Sequence, residues 1–192
     1  MKSPIALALG AILLWPLVAS AHPSLSPATG LAQGVAHPLS GLDHTLAMFA
    51  IGLWAAQRGG RAVWMVPLAF VGVMAIGFAV GSAGWTVPFA ESGVLASVLI
   101  MGLFVASAVR LSTLASAGLV GVFALFHGHV HGTEMPAMAS AMTWFAGFTT
   151  STLLLLACGI VLARCARSLN AASLIRWTGG AVAASGLWML MA

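Results

Sequence analysis

LSTLASAGLVGVFALFHGHVHGTE, residues 111–134, begins as an apolar run long enough to cross a bilayer and ends in three histidines and a glutamate. About 20 predominantly apolar residues span the hydrocarbon as a helix. On such a helix His127 and His131 lie at i and i+4, and Glu134 follows at i+7 from His127, so the three share a stripe. His129 points elsewhere. Gly128 and Gly132 form a small-xxx-small pair beside the stripe, a pattern that admits a neighbouring helix backbone at close range. Pro136 then ends the helix or the turn after it.

Working outward, the whole chain repeats this apolar character: 61% of its 192 residues are hydrophobic, 5% are charged, and only Asp43, Glu91 and Glu134 are acidic. With a mean hydropathy of +1.07, this composition places the chain among all-α polytopic membrane proteins rather than soluble domains. The net charge of +4 comes from few groups and forms no basic tract, so it reports orientation in a bilayer and gives no sign of a nucleic-acid partner. Cys158 and Cys165 have neither a disulfide-framework pattern nor zinc-ligand spacing and read as helix-packing residues.

Residues 1–21 combine Lys2, an apolar stretch from Ile5 to Val18 and the small-residue sequence Ala19-Ser20-Ala21, the pattern of a cleaved secretory signal peptide. Cleavage would expose the α-amino group of His22 beside its imidazole, a weaker candidate metal chelator. The remainder, 22–192, reads as one six-helix membrane transport domain with candidate spans at 37–57, 62–82, 91–109, 111–131, 137–163 and 172–191. Pro38 suits the first turn of the first span. The six arginines fall in alternate connections: Arg58 and Arg61, then Arg110, then Arg164, Arg167 and Arg176. Positive residues favour the cytoplasmic side, so the sequence predicts an inner-membrane protein with both mature termini in the periplasm.

In that topology a second polar cluster, His37-Pro38-Leu39-Ser40-Gly41-Leu42-Asp43-His44, opens the first span at the same outer depth where residues 127–134 close the fourth. Read as one helix, it projects His37 and His44 from nearly one face and sets Asp43 roughly 9 Å inward of His37. A buried carboxylate needs a cation or hydrogen-bonding partner, and ionisable groups inside a membrane mark function by default. Imidazoles mixed with carboxylates suit a borderline divalent ion such as nickel, cobalt, zinc or copper; magnesium and calcium prefer more oxygen donors. The expected ligands are His37, Asp43, His44, His127, His131 and Glu134, with His129 weaker and more fitted to interhelical hydrogen bonding. Glu91 reads as a charge at a helix N-terminus. Met135, Met138 and Met142 share a helical stripe that could take Cu(I) but reads first as packing.

His37-x5-Asp43-His44 together with Phe126-His127-Gly128-x2-His131-Gly132-x-Glu134 resembles the two signature motifs of the HupE/UreJ family of nickel and cobalt permeases. The likeness extends over the signal peptide and six-span layout, hence nearly the whole chain. It implies uptake of nickel, or cobalt, for maturation of hydrogenase, urease or another metalloenzyme. The chain is expected to have no enzymatic activity and no tightly bound cofactor beyond the transported ion. Three other readings remain open on the residues alone: a membrane cytochrome with haem between His44 and His127, a metal sensor or scaffold without flux, and an intramembrane metallohydrolase. The last has no H-E-x-x-H motif. No phosphate-loop motif is present, and the oligomeric state is not encoded legibly.

Overall fold

The computed structural model of the protein describes residues 27–192, which form helices and no strand. Expectations for the signal peptide at 1–21 and for His22 fall outside the described residues. The helices are α1 (Pro27–Ser40), α2 (Leu42–Arg58), α3 (Ala62–Ser82), α4 (Ala90–Ser107), α5 (Thr113–Thr133), α6 (Ala141–Ser168) and α7 (Ala172–Met191). Among the described residues, α3, α4, α5 and α6 are each long and apolar enough to cross a membrane, and α1 with α2 makes a fifth candidate if that bent pair is one span. The expected last span, α7, is not among these, since Arg176 and a Gly-Gly pair dilute its apolar run.

Where one continuous helix was expected through the first cluster, the structure has a break. The chain bends by 79° between α1 and α2, with Gly41 extended at φ −89° and ψ 116° as the N-cap of α2. The local chemistry explains this. Pro38 lies near the C-terminal end of α1 rather than in a first turn, and its missing N–H weakens the last turn. Ser40 Oγ then donates to the His37 carbonyl at 2.7 Å and Thr45 Oγ1 donates to the Pro38 carbonyl at 2.9 Å, satisfying acceptors that a continuing helix would have used. The expected 9 Å step between His37 and Asp43 therefore does not apply.

The helices meet through glycine. α3 lies along α5, α4 along α7, and α6 packs on both α1 and α2. A Cβ added to Gly128 would fall on the Met74 carbonyl, and one on Gly132 on the Phe78 carbonyl, so the small-residue pair does bring α3 against the histidine-bearing end of α5. Gly52 and Gly159 do the same where α2 crosses α6, each facing a backbone carbonyl of the other helix. Without a hydrophobic drive between helices in lipid, such contact supplies the van der Waals packing that holds a bundle together. Trp54, Phe70, Met74, Met101 and Phe148 fill the interior and are fully buried.

At the opposite end, Arg58, Arg110, Arg167 and Arg176 converge around a cavity of about 470 Å³. Cys158 and Cys165 are exposed on α6, and so are Met138 and Met142; none of these four packs in the core as expected. The methionine stripe itself is interrupted, because α6 begins only at Ala141.

Candidate metal site

Four helices supply one pocket. α1 brings His37, α2 brings Asp43 and His44, and α5 brings His127 and His131 with Glu134 at its C-cap. The ring centroids are 4.6 Å apart for His44 and His131, 4.9 Å for His44 and His127, 5.1 Å for His37 and His131, and 6.2 Å for His37 and His44. The fourth helix, α4, contributes Ser97. Thus two motifs some 90 residues apart in sequence do share a site, as the sequence reading expected.

The rim and the floor differ. At the rim, His37 Nε2 pairs with Glu134 Oε2 at 2.9 Å, and the Glu134 side chain is half exposed. Donor atoms of His37, His131 and Glu134 all lie within 4.8 Å of one another. Two bonds of about 2.1 Å to one ion span at most roughly 4.2 Å, so small rotamer adjustments would close this trio on a cation. The floor is made by His44, His127 and His131, all buried.

Hydrogen bonds aim the floor rings. Asp43 Oδ1 accepts from His44 Nδ1 at 2.8 Å and from the His44 backbone N–H at 2.7 Å, which assigns the ring proton to Nδ1 and leaves the Nε2 lone pair free. A carboxylate behind a histidine in this way fixes ring orientation and raises its basicity toward a metal. Asp43 therefore serves His44 rather than facing the pocket on its own. Ser97 Oγ donates to the Val94 carbonyl at 2.6 Å, so its 3.0 Å contact with His127 Nε2 must be one in which the imidazole N–H donates. His127 then presents Nδ1 as its lone pair.

The consequence is a group of nitrogen atoms with nothing to bond. His44 Nε2, His127 Nδ1 and both ring nitrogens of His131 are buried without a hydrogen-bond partner among the described residues. Each such group costs about 1–3 kcal/mol of desolvation. One His131 nitrogen carries the ring proton and the other a lone pair; the group whose donor atoms lie within 4.8 Å of one another is His37, His131 and Glu134, so a cation bound there would turn the His131 lone pair from a penalty into a bond. Around them Phe148 stacks on His131 at 4.5 Å, Phe70 lies 5.7 Å from His127, and Trp144 lies 5.0 Å from His37. The Trp144 indole also donates to the His131 carbonyl at 3.0 Å, tying α6 to the end of α5.

His129 turns away, as expected, and its Nε2 lies 2.9 Å from the Trp85 carbonyl and 3.2 Å from the Val87 N–H in the α3–α4 connection. Glu91 sits in the first turn of α4. Haem between His44 and His127 does not fit: imidazole rings 4.9 Å apart and edge to face leave no slot for a macrocycle. Ser97, Phe70, Trp144 and Phe148 were not identified from sequence. Ser97 alone carried a signal, as a hydroxyl in the middle of an apolar span; nothing distinguished the aromatic residues from ordinary core.

Because Ser97 fixes the His127 proton, Ser97→Ala should leave the fold intact and weaken divalent-metal binding by about 10- to 100-fold, the usual penalty for losing a group behind a ligand. Equilibrium binding of nickel to the purified variant checks this, and an unchanged affinity would remove Ser97 from the site.

Comparison with known proteins agrees with these motifs. The family model described as HupE / UreJ protein matches residues 10–189. The chain is similar to Protein HupE of Rhizobium leguminosarum bv. viciae, with 45% identity over 181 residues, covering 94% of each chain. No solved structure matches. Full-length coverage, the two motifs and their meeting in one pocket make the conclusion plain: the chain belongs to the HupE/UreJ family.

Proposed function

We propose that the protein is a secondary permease that takes up nickel, and cobalt as a second substrate, across the inner membrane to supply a metalloenzyme such as hydrogenase or urease. The observation that carries this reading is the set of unpartnered buried nitrogens of His44, His127 and His131 beside the His37–Glu134 pair. Imidazole-rich donors with a carboxylate at the rim favour a borderline divalent ion over magnesium or calcium. A hydrated cation meets Glu134 and His37 first, exchanges water for imidazole, and passes to the floor. His131 belongs to both groups and hands the ion from one to the other.

Function as a carrier also explains why the protein's donors do not form a closed cage. A structural metal site satisfies all coordination positions, whereas a transport site must release its ion. An inside-negative potential of 100 mV supplies about 2.3 kcal/mol per elementary charge, enough drive for a dication without nucleotide hydrolysis or any other chemical turnover. In this reading the bent α1–α2 pair and α7 complete six crossings after a cleaved signal peptide, with the arginine end cytoplasmic. The membrane domain then comprises residues 22–192.

Accumulation of labelled nickel in cells expressing the protein tests the proposal, with cobalt as competitor and His127→Ala as control. Uptake above background, inhibited by cobalt and lost in the variant, is expected. Metal binding by the purified protein without any cellular accumulation would instead identify a sensor or scaffold.

A further inference from the structure

The cavity at the arginine end has a composition that the metal site does not explain. Arg58, Arg110, Arg167 and Arg176 line it together with Gln57, while the three acidic residues of the sequence, Asp43, Glu91 and Glu134, all lie at or near the opposite ends of their helices. Four guanidinium groups therefore share one cavity with no carboxylate to balance them.

Part of this charge has a structural task. Arg176 Nε donates to the Ala106 carbonyl at 2.8 Å, Arg58 bonds the Leu111 carbonyl, and Arg167 bonds the Ala56 carbonyl. Each guanidinium has five N–H donors, so one carbonyl leaves most of them unused. Among the described residues, Arg110 makes no side-chain hydrogen bond, and Arg58 Nε is buried without a partner. Gln57 Nε2 donates to the Val105 carbonyl at 3.1 Å, yet its Oε1 is buried and unpartnered. Arg110, Arg167 and Arg176 are exposed, so their remaining N–H donors are open to an anion, whereas Arg58 Nε and Gln57 Oε1 are enclosed by protein.

Its depth indicates where that ligand comes from. Trp177, one residue beyond Arg176, is 78% exposed, and Trp64 on α3 is 51% exposed with Arg61 over its ring. Tryptophans of this kind concentrate at the headgroup level of a bilayer, and with the arginine end cytoplasmic, as in the function proposed above, basic pockets between transmembrane helices there suit anionic lipid headgroups. We propose that this cavity binds the headgroup of an anionic glycerophospholipid, its phosphodiester taken by the arginines. Because the arginines come from α2, α6, α7 and the α4–α5 connection, one headgroup would tie together the ends of these helices.

Arg110→Gln tests this without touching the backbone bonds that the other arginines make. The full-length protein, purified in detergent, is titrated with phosphatidylglycerol, with phosphatidylcholine and separately with inorganic phosphate, and bound lipid is read by native mass spectrometry. Phosphatidylglycerol should be retained in preference to phosphatidylcholine, and Arg110→Gln should weaken it about fivefold, the worth of one arginine near an anionic headgroup. Nickel binding at the histidine pocket serves as the control for folding and should not change. Equal retention of the two lipids, unchanged affinity in Arg110→Gln, or displacement of the lipid by millimolar inorganic phosphate would overturn the proposal.

Discussion

His131→Leu should abolish metal accumulation and, at the same time, make the protein more resistant to heat. Both ring nitrogens of His131 are buried without a partner, and its ring stacks on Phe148. Leucine keeps much of the volume and the apolar contact but removes two polar atoms that cost about 1–3 kcal/mol each when unsatisfied. A residue needed only for packing would behave in the opposite way, losing stability on substitution and retaining uptake. Thermal unfolding in detergent, measured beside labelled-nickel uptake, separates the two outcomes. Retained uptake in this variant would show that the floor of the pocket is not on the ion's route.

The second large effect concerns the bundle. Gly128→Val should fail to give a stable, monodisperse protein, because even its Cβ would collide with the Met74 carbonyl and the Phe78 backbone nitrogen. A flexible side chain could move aside; a backbone carbonyl in a packed helix cannot, so the cost falls at or above the upper end of the about 1–3 kcal/mol typical of overpacking. Gly118 lies on the same helix with nothing within 4 Å of an added Cβ, so Gly118→Ala should be neutral or slightly stabilising through helix propensity. Size-exclusion profiles and melting temperatures of the pair would check this. Similar behaviour of both variants would contradict the close α3–α5 contact.

The sequence carried much of this architecture because its few polar residues had so little freedom. In a chain with three acids, each carboxylate and imidazole inside an apolar span demanded a partner, and helical spacing placed His127 and His131 on one face. Gly128 and Gly132 likewise announced a close helix neighbour, although spacing could not say that the neighbour was α3. The break at Gly41 was harder to read. A proline, a serine and a glycine before Asp43 are compatible with a helix start as well as with a hinge, and only the Ser40–His37 and Thr45–Pro38 bonds decide between them. The part played by Ser97 depends on a contact between residues 30 positions apart on different helices, a distance that no local pattern encodes.

That hinge has a practical consequence. His37 is carried by α1, whose position is set by α6 through contacts such as Ser151 Oγ to the Val35 carbonyl at 2.5 Å, whereas His44 is set by α2 and His127 by α5. One extended residue, Gly41, is all that joins the two parts along the chain there. His37 can therefore shift with the α1–α6 face while His44 and His127 stay with α2 and α5, and His131, stacked on Phe148 of α6 and placed by α5, is the residue through which such a shift would reach the floor.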